Sequence, residues 1–212
     1  MARAILACMT FLMTALVMVN LQLVVRTYDA VGVAPGDMER ARASVGAILT
    51  RAGIEPIWRP CPGPACAETV TPDEVVVRIV KSGPGSRNGS LGYAMIDKST
   101  DAGTLATIYD DRIHALAAEN NLDEGLLLGR AMTHEIGHLL LGTSNHSGFG
   151  LMRARWLIAE LQRDRLTDWV FTSWERAELR HRLVARTRRP MSPASVAAEL
   201  AAPARTVVLQ SP

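Results

Sequence analysis

Lysine is almost missing from these 212 residues: Lys81 and Lys98 are the only two, and arginine carries nearly all the positive charge. With 23 basic against 21 acidic side chains the formal charge is +2, too small to make nucleic acid the main partner. The arginines thicken from Arg153 to Arg189, where acidic residues partly offset them, a pattern of solvated helix faces. The glycine-rich stretch Ser82 to Gly89 lacks both the lysine and the strand-then-helix context of a phosphate loop, so it reads as a connection. Cysteine is scarce too, with three in the chain. Cys8 lies in the N-terminal apolar segment, and no histidine or cysteine stands near Cys61 and Cys66 to complete a cysteine-based zinc site. A local disulfide across Cys61-Pro-Gly-Pro-Ala-Cys66 is therefore expected, provided the chain is exported. Long apolar runs are absent beyond the N-terminus, so any membrane contact would have to run through that segment.

Residues 1–20 have the shape of a secretory signal peptide: a single arginine, then about sixteen apolar or small residues. Spanning a membrane takes about 20 apolar residues, and Leu21, Leu23, Val24 and Val25 extend the run, so an uncleaved anchor is the alternative. No A-x-A site marks a cleavage point. Either way the expectation is an exported protein, periplasmic or extracellular.

Between residues 21 and 188 the pattern alternates between strand and helix, as in one α/β (α+β) domain. Leu21 to Tyr28 suits a first strand. Met38, Ala41, Val45, Ile48, Leu49 and Ala52 recur at helical spacing before Gly53, and Ile54 to Trp58 forms a second strand. The crossover favours parallel pairing. Val75 to Val80, Leu91 to Ile96 and Thr104 to Tyr109 complete a mixed, twisted sheet of about five strands. Helices are expected over Asp110 to Asn120, from Asp123 to about Leu141, over Arg155 to Arg163, and from the capping box Thr172-Ser-Trp-Glu175 to about Thr187. Residues 189–212, rich in alanine and proline, read as a disordered tail.

Chemistry concentrates in Thr133 to Met152, THEIGHLLLGTSNHSGFGLM. His134 and His138 stand four residues apart, a helical rotation of about 400° and a rise of about 6 Å, so both rings leave one face. Two imidazoles so placed can meet one zinc ion, and Glu135 borders the ion without ligating it. Zinc lowers the pKa of its water to about 7, and Glu135 is placed to take that proton as general base. A catalytic zinc needs a third protein ligand. His146 is favoured, because Gly142 breaks the helix and lets the chain turn back; Glu160, on the next helix, is the other candidate. His114 and His181 read as surface residues.

The stretch resembles the metzincin zinc peptidases, whose pattern is H-E-x-x-H-x-x-G-x-x-H followed by a methionine turn. The resemblance implies His134, His138 and His146 as ligands, Glu135 as base, Gly142 as the turn glycine and Met152 as the methionine beneath the metal. This chain is one residue longer on each side of the glycine, so Ser144 stands at the family's third-ligand position. The expected function is an exported zinc metallopeptidase acting on peptide or protein substrates. The alternatives are a catalytically silent zinc-containing binding domain at the envelope, or a zinc amidase acting on a non-peptide amide.

Overall fold

The first strand, helix and second strand form a crossover unit whose two strands pair in parallel. β1 (Leu21–Asp29) leads through Pro35, which opens α1 (Pro35–Arg51), to β2 (Ile54–Pro60). Proline suits the first turn of a helix because its missing N–H has no partner there in any case. Every apolar residue at helical spacing, from Met38 to Ala52, is buried, and Gly53 closes the helix at φ +78°. This is a computed structural model, and it describes residues 21–61, 66, 68–83 and 89–188. The expected signal or anchor segment, residues 1–20, and the expected disordered tail, residues 189–212, lie outside the described residues. Among the described residues, no helix is long and apolar enough to cross a membrane.

β3 (Glu74–Val80), β4 (Gly92–Asp97) and β5 (Ala102–Tyr109) complete a five-stranded sheet in the order β2-β1-β3-β5-β4. β2, β1, β3 and β5 run parallel, as the crossover predicted, while β4 pairs antiparallel with β5 at the edge. The fold is thus α+β with a mostly parallel sheet. β1 and β3 are nearly continuous in burial rather than alternating, as central parallel strands covered on both faces must be.

α2 (Asp110–Asn120) leads into α3 (Glu124–Leu141), whose N-cap Asp123 accepts a hydrogen bond from the Leu126 N–H at 2.8 Å. α3 is buried almost all round, so it is a core helix, packed between α1, the sheet and the C-terminal segment. Its end is set by Gly142 at φ +60°, where a β-carbon would collide with the Asp101 carbonyl. α4 (Ile158–Arg163) and α5 (Ser173–Arg188) follow, joined by a 3₁₀ turn over Leu166–Trp169.

The helix expected from Arg155 begins only at Ile158. Trp156 is held in the core with its indole N–H on the Leu151 carbonyl at 3.2 Å, and Leu157 is extended at φ −82°, ψ 137°. A helix through both would carry Trp156 away from that carbonyl. The 3₁₀ turn was not legible because nothing but the buried Trp169 marks it.

Candidate metal centre

Three histidines, two on α3 and one in the loop that follows it, converge. Each of His134, His138 and His146 offers a ring nitrogen within 4.8 Å of the others. His134 and His138 come from α3 at i and i+4. His146 reaches them because Gly142 turns the chain back; its ring centroid is 5.3 Å from that of His134 and 4.9 Å from that of His138. The structure brings His146 to the pair and leaves the other candidates aside. Glu160 accepts from Arg153 Nη1 at 2.6 Å and from the Leu157 N–H at 3.3 Å, at the start of α4. Ser144 is exposed. His114 and His181 lie on the surface, beside Glu124 and Glu178.

The protonation of the two helical imidazoles follows from their partners. His134 Nδ1 lies 2.9 Å from the Leu151 carbonyl and His138 Nδ1 lies 2.8 Å from the Thr143 carbonyl. A carbonyl only accepts, so each Nδ1 carries the proton and each neutral ring presents a bare Nε2. Those two Nε2 atoms stand 2.9 Å apart in a buried space. Two lone pairs face each other there and call for a cation between them. A proton is a poor candidate: burial, then the neighbouring rings, push His134 well below the ordinary histidine range and His138 to about 3. His146 is also lowered by burial, and its Nε2 is buried without a partner.

A metal ion fits this donor set. Bonds of about 2.0–2.1 Å in a tetrahedral zinc site would set ligand nitrogens roughly 3.3 Å apart, so the His134–His138 pair at 2.9 Å need open only slightly. The carbonyls of Leu151 and Thr143 behind Nδ1 are the outer partners that metal-ligating histidines require for orientation. Trp156 adds to this by donating to the same Leu151 carbonyl and packing edge-on against the His134 ring. The trio can therefore hold a metal ion.

Glu135 is fully buried, and neither carboxylate oxygen has a hydrogen-bond partner. It lies against the start of β4, where a β-carbon on Gly92 would stand 3.3 Å from its Cγ. Burial alone pushes its carboxyl well above the ordinary carboxylate range. Met152 is buried at the end of the loop, against Gly137 between the two helical histidines. A β-carbon at 137 would come within 2.6 Å of its sulfur and 2.9 Å of the Phe171 ring, so the close packing here uses the missing side chain of Gly137.

Two further residues escaped the sequence reading. The role of Trp156 as a shared donor to Leu151 has no signal in the chain, since a buried tryptophan is ordinary. Glu175 was legible as the end of a capping box, and its N–H does donate to Thr172 Oγ1 at 3.2 Å. Its carboxylate also reaches the ligand loop, accepting from the Ser147 hydroxyl. The disulfide expected between Cys61 and Cys66 is present, with Cα atoms 5.6 Å apart. The chain matches no model of a known protein family and no curated protein.

Proposed function

We propose that the chain is an exported zinc-dependent metallopeptidase of metzincin type, with His134, His138 and His146 holding the ion and Glu135 as general base. One observation carries the reading. A wholly buried carboxylate with no partner for either oxygen stands one residue from a metal-holding histidine. Burying such a group unpaired costs several kcal/mol if it is charged, roughly 1–3 if it is neutral, so a purely structural metal site gains nothing from it. A hydrolase gains a base.

The chemistry divides as follows. Three imidazoles would suit zinc rather than a hard oxygen-seeking ion. When bound, the ion supplies Lewis acidity, acidifying water and polarising a carbonyl. The protein does the rest. Leu151 and Thr143 fix the tautomers of His134 and His138, so that Nε2 is the free nitrogen on each. Glu135 takes a proton from the attacking water and returns it to the departing amine as the C–N bond breaks and the C–O bond forms. Its raised proton affinity, tempered by a nearby cation, suits that two-way transfer near neutral pH. The dry surroundings of Glu135 strengthen every charge interaction at the site.

The Cys61–Cys66 disulfide and the apolar segment at residues 1–20 support a place outside the cytoplasm, in the periplasm or beyond the cell. Metal analysis combined with a peptide library tests the whole reading. The purified mature protein is expected to carry one zinc per chain and to cleave peptides, and Glu135→Gln is expected to retain the zinc while losing cleavage. A wild-type protein without stoichiometric zinc, or a Glu135→Gln variant as active as its parent, overturns it.

A further inference from the structure

We propose that Glu175, on α5, is a positioning residue for His146, acting through the Ser147 hydroxyl. This inference rests on the metal-site reading above and extends it to a part of the chain far from the H-E-x-x-H helix.

The three ligands are not held alike. His134 and His138 sit on a buried helix, and each ring is oriented by a backbone carbonyl. His146 stands in a loop, and its Nε2 has no hydrogen-bond partner. Its placement therefore falls to the backbone on either side. The following residue is pinned twice: the Ser147 N–H donates to the Met152 carbonyl at 2.8 Å, and the Ser147 hydroxyl donates to Glu175 Oε1. Beyond it, a β-carbon built on Gly148 would meet nothing within 4 Å.

Glu175 is more than a helix cap. Capping the start of α5 needs one oxygen, and Oε2 supplies it by accepting the Thr172 N–H at 2.6 Å. Oε1 is left over and reaches a residue 28 positions away in the chain. A capping-box glutamate is normally solvated, yet this one is 1% exposed. Burying a carboxylate is costly unless both oxygens are satisfied, and Ser147 satisfies the second. The same bond holds the loop so that the residue before Ser147 points its ring at His134 and His138. Freed of it, the loop would sample positions in which His146 no longer completes the trio, and metal affinity would fall.

Metal affinity is measured by competition with a chromophoric chelator, on wild type, Ser147→Ala, Glu175→Ala, Glu175→Gln and the Ser147→Ala/Glu175→Ala pair. Outer partners of metal ligands are typically worth 10–100-fold in affinity, so each alanine variant is expected to weaken zinc binding about tenfold or more. The pair should bind no more weakly than the worse single variant. Glu175→Gln should recover most of the loss, because an amide can keep one bond to each partner. In a His146→Ala background the same substitutions should leave the residual affinity unchanged, which a general loss of stability would not. Ser147→Ala leaves the helix cap intact and answers the question if Glu175→Ala folds poorly. Wild-type affinity in Ser147→Ala, or an equal loss in the His146→Ala background, overturns the clamp alone. A wild-type protein that binds no metal overturns both the clamp and the proposed function.

Discussion

Two buried charged clusters lie in this domain, and they are finished to different degrees. At one end of the sheet, Arg26 and Glu74 form a bidentate pair at 2.8 Å, with side chains 2% and 0% exposed. The remaining guanidinium nitrogen donates to the Cys66 and Glu68 carbonyls, and Glu74 also accepts from Arg59 and from the Thr71 N–H. Every polar atom there that the fold has desolvated is given a partner. On α3, His134, Glu135 and His138 are all 0% exposed, yet both Glu135 oxygens have none and two bare imidazole nitrogens face each other. The first cluster is complete in itself, and removing either partner would leave the other buried and unpaired. The second makes physical sense only with something added. Burial alone does not separate the two clusters; what each leaves unpartnered does.

The largest expected effect tests the unfinished side. Glu135→Gln should lower turnover by about 10²–10⁴-fold, the range for a positioned general base. It should leave the stability of the metal-free protein unchanged or raise it, since it replaces an unsatisfied acid with a neutral amide. A drop in melting temperature comparable to that of a core truncation would mean that Glu135 is structural after all. Glu74→Ala is the mirror experiment. Leaving Arg26 buried without its partner should cost about 3–5 kcal/mol. At roughly 2–4 °C per kcal/mol for a domain of this size, the melting temperature should fall by at least several degrees. Zinc stoichiometry of the folded fraction should not change. If Glu74→Ala also empties the metal site, the two clusters are coupled and the contrast between them fails.

The sequence carried much of this contrast on the metal side and none of it on the other. His134, Glu135 and His138 were legible because a helix has a fixed period and the motif fits it. Gly142 was legible because a helix that must stop and turn back needs a residue free to adopt positive φ. The choice of His146 over Glu160 was favoured but left open, since it depends on how a loop returns, and loop paths follow from packing rather than periodicity. Met152 against Gly137 settles how tightly that loop lies on the helix. The order of the strands followed only in part: a crossover implies parallel neighbours, yet nothing local says that β3 inserts beside β1 and that β4 takes the edge. Arg26 and Glu74 are 48 residues apart, and no short-range pattern announces that they will meet. Ser147 and Glu175 stayed hidden for the same reason, although half of Glu175's role was written in its capping box.

Reduction of the Cys61–Cys66 bridge probes the finished cluster from its rim. Cys66 contributes its carbonyl to Arg26 and to the Tyr28 hydroxyl, both at 2.8 Å, so the bridge holds the acceptors in place. Closing a loop this short constrains the unfolded chain by about 2 kcal/mol. Replacing both cysteines with serine should therefore lower stability by about that amount, measured by urea unfolding, with zinc affinity left as it was. A loss much greater than 2 kcal/mol would show that the Arg26 network depends on the bridge for more than chain entropy.

A further effect separates the clusters by pH. In the folded, metal-free chain, burial and then the neighbouring His146 push His138 down to about 3, and His134 is lowered for the same first reason. In the unfolded chain a histidine titrates near 6.5, so the unfolded state takes up its proton first as the solution is acidified. A depressed folded value contributes stability that is present above about pH 6.5 and is lost as the pH falls toward 3. Each such histidine can contribute a slope of at most about 1.4 kcal/mol per pH unit. The Arg26 cluster contains no histidine. Chelator-treated protein should accordingly unfold at lower urea at pH 5 than at pH 7, and much of that difference should vanish in a His134→Phe/His138→Phe variant, which removes both groups. Zinc should protect the wild type across the upper part of the window, because the ion binds only the neutral rings and competes with the protons. A metal-free wild type as stable at pH 5 as at pH 7 would mean that water and protons reach the facing Nε2 atoms freely, and the cluster could no longer be called unfinished.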